Sequence, residues 1–210
     1  FTVESGRIDS LSLEILKMLK DKGVNRISLN PQSFNEDVIN KLNRVSNKNF
    51  EFWLMNAREL GFETINMDLI MGLPGEDKAS ILDSIKKVID FSPENITLHT
   101  LALKNGSKLF ENSYHNNEDF GNLLEESKKL LMENNYEPYY LYRQKKSVIS
   151  SENIGYAKEG HASIYNIVMM EELENIIGFG LGASTKILNE KGKFERNLNS
   201  KNLEDFLRRR

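Results

Sequence analysis

The sequence predicts an α/β protein built around a parallel sheet, and three observations carry that reading. Apolar runs of strand length alternate with segments whose apolar residues recur at helical spacing. Glycines stand where the helical periodicity stops. The run Asn66-Met67-Asp68-Leu69-Ile70-Met71 closes on Gly72-Leu73-Pro74-Gly75, where proline cannot donate to a ladder and glycine accepts unusual dihedrals. Repeated strand–helix units imply parallel pairing through right-handed crossovers.

The elements follow in order. Residues 1–4 read as a strand. Over 10–22, Leu11, Ile15, Met18 and Leu19 share a helical face, with Asp9 or Ser10 as cap and Gly23 as terminator. Residues 26–30 form the second strand; after Pro31 a short helix over 35–44 precedes a longer one over 49–60, ended by Gly61. The third strand covers 64–71, its helix 78–91, and a fourth strand 96–103. Residues 104–117 are polar and rich in turn formers, and set the expected boundary between units 1–105 and 106–210. Beyond it the pattern predicts a helix over 119–134, a strand over 136–143, a helix over 164–173, a close-packed turn or strand at 178–182, and a last helix over 203–210. No internal repeat or low-complexity tract interrupts this order.

Composition bounds the function. An apolar content of 39% over 210 residues suffices for a sizeable core. The net charge of -3 gives no global electrostatic footprint for nucleic acid, so Arg208–Arg210 reads as a solvated helix end. No apolar run approaches bilayer-spanning length, and the chain reads as cytoplasmic with no membrane partner.

Asp68 is the first site candidate. An ionised carboxylate within Met, Leu and Ile is expensive to desolvate unless something pairs with it, and this one lies near a strand's carboxyl end, where α/β proteins collect ligands. It either accepts hydroxyl hydrogen bonds from a ligand or serves as a structural cap or core ion-pair member. Gln32, at the mouth of the second strand, offers an amide donor and acceptor, or forms a turn. Arg44 closes the short helix, where a guanidinium meets terminal carbonyls or clamps a ligand carboxylate. His99 is on the fourth strand, and His115 and His161 fall in polar segments without ligand spacing, so no metal site is assigned. Gly178-Phe179-Gly180-Leu181-Gly182 lacks the dinucleotide fingerprint spacing. Tyr139, Tyr140 and Tyr142 read as strand packing.

Several phrases occur together and in one order: Phe1-Thr2-Val3-Glu4, Gly23 to Phe34, Asn43-Arg44, Ala57 to Phe62, Asn66 to Gly75, and Gly178 to Ser184. The chain thereby resembles the radical S-adenosylmethionine enzymes of the oxygen-independent coproporphyrinogen III oxidase family. Tyr139 to Lys145 and Asn153 to Ala157 resemble its coproporphyrinogen dehydrogenase branch. The resemblance implies the carboxyl-terminal part of a partial (β/α)6 barrel plus an α+β extension. It implies S-adenosylmethionine as cofactor, with Asp68 and Gln32 at its ribose, Arg44 on its methionine carboxylate, and Leu101 lining the adenine pocket. Glu4 and Ser184 match contacts to a second S-adenosylmethionine, although Ser184 and Val168 depart from the residue types of well-known relatives.

The implied reaction is oxidative decarboxylation of coproporphyrinogen III to protoporphyrinogen IX in heme biosynthesis, with heme binding and trafficking as the alternative. The resemblance leaves the electron donor unspecified. Family members bind a [4Fe-4S] cluster through cysteines, and this chain has Cys 0. It is therefore expected to be an inactive fragment of a longer enzyme, and to self-associate at an exposed strand edge.

Overall fold

The computed structural model describes all residues except 6, 43, 45, 104–119, 144–146, 150, 151, 191 and 209–210. Two compact units divide the chain, Phe1–Ala162 and Ser163–Arg210. The expected 105/106 boundary falls inside the first unit, and the polar segment 104–117 that suggested it lies wholly outside the described residues.

Strands β1 (Thr2–Glu4), β2 (Arg26–Ser28), β3 (Thr64–Met71) and β4 (Asn95–Thr100) pair in parallel in that order. Their connections carry helices α1 (Leu13–Asp21), α2 (Glu36–Lys41), α3 (Phe50–Glu59) and α4 (Lys78–Phe91). The sheet then continues past the parallel run. After α5 (Leu123–Glu133), β5 (Glu137–Tyr142) and β6 (Asn153–Ala157) pair antiparallel, and β6 lies antiparallel on β4. The order in the six-stranded sheet is β1-β2-β3-β4-β6-β5.

The alternation of side chains across the pleat places the core. Ile27, Leu29, Ile65, Met67, Leu69, Ile96 and Leu98 lie on one face, each at most 2% exposed. With Leu16, Phe50, Leu54, Ile81, Ile85 and Val88 they form the principal apolar cluster, the larger aliphatic members contributing about 1.5–3 kcal/mol each. Arg26, Ser28, Thr64, Asn66, Asp68, Asn95, Thr97 and His99 take the other parity and make the opposite face polar. A face so polar cannot pack on a helix, and this sidedness builds the site.

Several ends differ from the sequence expectation. Residues 8–10 form a short 3-10 turn, and α1 is capped by Ser12, whose hydroxyl accepts from Ile15 N at 3.2 Å, instead of by Asp9 or Ser10. The helix stops as expected at Gly23, in the left-handed region at φ +82°. β4 ends at Thr100, three residues before the expected end, because the chain there leaves the β3 ladder: Leu101 N still donates to Met71 O, while Leu101 O accepts from Val148 N. β6 falls in a stretch with no predicted element.

In the second unit, α6 (Ile164–Glu171), an antiparallel hairpin of β7 (Ser184–Leu188) and β8 (Phe194–Leu198), and α7 (Leu203–Arg208) follow in order. Residues 178–182 lead into this hairpin. At Gly178 an added Cβ would lie 2.6 Å from the Ser184 carbonyl oxygen, so the two backbones meet as closely as a glycine allows. No helix among the described residues is long and apolar enough to cross a membrane.

Candidate active site at the carboxyl ends of the parallel strands

A continuous hydrogen-bonded row crosses the polar face, and the strand register sets it. Glu4, Ser28 and Asn66 are direct neighbours on β1, β2 and β3, and Asp68 pairs with Thr97 on β4. Ser28 Oγ donates to Glu4 Oε1 at 2.8 Å and accepts from Asn66 Nδ2 at 3.4 Å. The same amide donates to Asp68 Oδ1 at 2.8 Å, and Thr97 Oγ1 donates to Asn66 Oδ1 at 3.3 Å. Burial pushes the phenol of Tyr140, across the ladder from Thr97, above its ordinary range, with Thr97 opposing.

Tyr140 reaches this row because Gly155 lets it. Tyr140, Gly155 and Thr97 occupy one cross-strand line, and a Cβ on Gly155 would stand 1.8 Å from Tyr140 Cε1. The tyrosines therefore do more than pack. Tyr140 and Tyr142 stack with centroids 6.4 Å apart, and Tyr142 OH lies 3.2 Å from His99 Nδ1. His99 Nε2 is 3.6 Å from Asp68 Oδ2, with the carboxylate side chain 17% exposed. Asp68 is accordingly held on one oxygen by Asn66 and faces His99 with the other, half open at the site. The core arginine considered as a structural partner for it is absent among these contacts; the structural neighbours are an amide and an imidazole.

Gln32 is brought to Asp68 through its backbone. Its N–H donates to Asp68 O at 3.0 Å and its carbonyl accepts from Ile70 N at 2.8 Å. It holds φ +67°, a left-handed conformation that costs a non-glycine residue about 1–3 kcal/mol. Asn47 secures the same loop, its Nδ2 donating to Pro31 O at 3.0 Å and Ser33 O at 2.7 Å.

Burial lowers the Arg44 guanidinium below its ordinary value, the neighbouring Arg7 adds to this and Asp9 opposes it, which sets Arg44 within electrostatic reach of the Arg7–Asp9 pair in the loop after β1. Leu101 lies just past β4 and is half-buried. Ser184 belongs to the second unit, at the start of β7, and its hydroxyl has no hydrogen-bond partner among the described residues.

The opposite end of the polar face is closed. His161 O accepts from Arg26 Nη1 at 3.0 Å and from Asn95 Nδ2 at 2.9 Å, and its Nδ1 lies 2.9 Å from Thr64 Oγ1. Burial lowers the Arg26 pKa, with Tyr139 and Glu4 opposing. Among the described residues His161 is thus a structural plug across the amino-terminal end of this face. Among the described residues no group of three His, Cys, Asp or Glu is placed to hold a metal ion.

One residue at this end escaped sequence reading. Glu76, after the Leu73-Pro74-Gly75 turn, is 2% exposed; Ser33 Oγ donates to its Oε1 at 2.5 Å, and its Oε2 is buried without a partner among the described residues. Burial raises its pKa to about 7. An acid following a Pro-Gly turn reads as a solvated helix start, and nothing local distinguishes this one.

The family model of the radical SAM superfamily matches residues 1–88. The chain is 36% identical over 212 residues to the oxygen-independent coproporphyrinogen-III oxidase-like protein HemZ of Bacillus subtilis (strain 168), a match covering 98% of this chain and 42% of that protein. It is 31% identical over 189 residues to the heme chaperone HemW of the same organism, covering 87% and 46%. The solved structure of coproporphyrinogen III oxidase (HemN) from Escherichia coli, described as a radical SAM enzyme, aligns with TM-score 0.69 at 22% identity over 97% of this chain and 46% of that one, which shows the shared fold. The chain spans about half the length of the relatives it matches.

Proposed function

We propose, from the premise that this chain belongs to the radical S-adenosylmethionine superfamily in the group of oxygen-independent coproporphyrinogen III oxidase-like proteins, that it supplies the ribose-binding part of a cytoplasmic tetrapyrrole enzyme. The activity is the oxidative decarboxylation of coproporphyrinogen III to protoporphyrinogen IX. The observation that carries the reading is the polar strand face that ends in the half-open Asp68 carboxylate at the carboxyl ends of β2–β4.

The donor set fits S-adenosylmethionine. Asp68 accepts from a ribose diol, Gln32, whose backbone is bonded to that of Asp68, offers an amide with both senses of hydrogen bond, and Leu101 gives apolar contact to a base. When bound, the cofactor supplies hydrogen-abstraction chemistry; the residues of this chain bind and orient it. Asn66 keeps Asp68 from turning away, and Asn30 Oδ1 accepts from Asp68 N at 3.2 Å. The cluster does not fit this chain, which has no cysteine to ligate it.

Glu4 at the far end of the row and Ser184 are proposed contacts of a second S-adenosylmethionine, and Arg44 of the first one's carboxylate. Heme binding and delivery is a second reading, supported by the 31% identity to the heme chaperone HemW. The test uses a cluster-bearing protein that contains this chain: anaerobic turnover of coproporphyrinogen III to protoporphyrinogen IX supports the enzyme, whereas stoichiometric heme binding without decarboxylation supports the chaperone.

A further inference from the structure

The loop after β2 is the only covalent support of Gln32, and it is a strained support. Gln32 sits at φ +67° while both its peptide groups are committed to β3, on Asp68 O and Ile70 N. A left-handed glutamine persists only if its surroundings over-determine it. Two side chains do this from either side. Asn47 ties down the carbonyls of Pro31 and Ser33. The fully buried Ser33 hydroxyl is held by Glu76, from the loop after β3. Asn35 N also donates to Ser33 Oγ, at 3.1 Å, so this hydroxyl has one proton to give and Glu76 receives it.

We propose that Glu76 is a positioning residue for the site at the carboxyl ends of the strands: through Ser33 it fixes Gln32 in its left-handed conformation and so sets the spacing between Gln32 and Asp68. This rests on the reading of Asp68 and Gln32 as the seat of a nucleoside-bearing ligand, and adds a control to it. Charged neighbours do little to hold the Glu76 carboxylate. Asp77, next in the chain, disfavours the anion; the Lys41 ammonium of α2 lies 2.6 Å from where a Gly75 Cβ would be, yet neither it nor any other cation bonds Glu76 among the described residues. The Leu73 backbone amide and Ser33 favour the anion, and burial outweighs them, which places the titration near pH 7. The neutral acid leaves no buried charge at Oε2; the anion does. The positioning is therefore firm on the acid side of neutrality and loosens above it.

The experiment is residue-resolved amide exchange on the 210-residue chain from pH 6 to pH 8, for the parent sequence, Glu76→Gln and Glu76→Ala. In Glu76→Ala the Gln32 and Ile70 amides should exchange about tenfold faster, the loss expected for one buried hydrogen bond to a carboxyl group, while Met67 and Leu69 hold. In the parent, exchange at the two loop-linked amides should rise with pH beyond the intrinsic base-catalysed increase; Glu76→Gln should show the intrinsic increase alone and retain protection at pH 8. Unchanged exchange in Glu76→Ala, or uniform loosening of all β3 amides, overturns the proposal. Titration of each variant with S-adenosylmethionine, followed on the Asp68 amide, separates the underlying reading: altered exchange without any cofactor response in the parent rejects the ligand and leaves the positioning intact.

Discussion

Replacing Gly155 by alanine tests the packing that brings Tyr140 to the site. The added Cβ would fall 1.8, 2.4 and 2.7 Å from Tyr140 Cε1, Cδ1 and Cζ. Carbon atoms at rest stand about 3.5–4.0 Å apart, so the ring has to move by roughly 2 Å. Such a shift breaks the parallel stack on Tyr142, whose planes differ by 4°. Overpacking costs about 1–3 kcal/mol. Against this, Gly155 is outside the left-handed region, so alanine returns about 0.4–1 kcal/mol through the unfolded chain. The net expectation is a destabilisation of about 1–2 kcal/mol. Urea unfolding followed by the fluorescence of Trp53, which lies in the same unit, measures it. The decisive comparison is the same substitution made beside Tyr140→Ala, where it should be neutral or slightly stabilising. An equal cost in both backgrounds would refute the steric argument.

Four other outcomes are expected. Asp68→Asn, in a cluster-bearing protein containing this chain, should lower S-adenosylmethionine affinity roughly five- to a hundred-fold by calorimetry with little change in unfolding midpoint, because the shape stays and the charged acceptor goes. An affinity like the parent's together with a much lower midpoint would make Asp68 structural. Glu76 is raised from 4.5 to about 7 on folding, so the folded chain binds more protons between these values; stability falls as pH rises through that window, by about 3 kcal/mol in all, and is flat above it. Urea midpoints of Glu76→Gln should lack that fall. Tyr136→Phe strips the donor from Pro93 O, now bonded at 2.7 Å, and should cost about 1–2 kcal/mol in the same unfolding assay. β1 is an end strand of the described sheet, and light scattering should show concentration-dependent association of the chain; a monomer throughout the micromolar range argues against pairing at that edge.

What could be read from the sequence depended on how locally each element is determined. The bounds of β3 and α4 came out as expected because both ends carry their own signals: period-2 alternation up to Met71, the Gly72–Gly75 turn, and Asp77, whose side chain accepts from Ser80 N at 2.7 Å as the cap of α4. β6 has no such signal. All five of its residues are buried, so there is no alternation to see, and Gly155 looks like a turn until Tyr140 is laid over it. The hairpin β7–β8 is mixed and mostly exposed, and its pairing is set by register instead of by a pattern. At the site, one carboxylate in an apolar strand sufficed to single out Asp68. Its partners Asn66 and His99 follow from parity once the strand is granted. Glu76 was missed because burial by a distant loop leaves no trace in neighbouring residues.

The row that joins Glu4, Ser28, Asn66 and Thr97 also says how the first unit has to assemble. Its successive links span 24, 38 and 31 residues of chain, whereas Asn153 meets Tyr142 across 11. Each parallel link requires closing a long loop before any contact rewards it, and loop closure of that kind slows folding. The antiparallel pair β5–β6 is the nearest thing to a local nucleus in the sheet, yet it lacks a partner until β4 is in place. Assembly of the polar face is therefore expected to be late, and the residues that join last in the folding reaction are those proposed to hold a ligand.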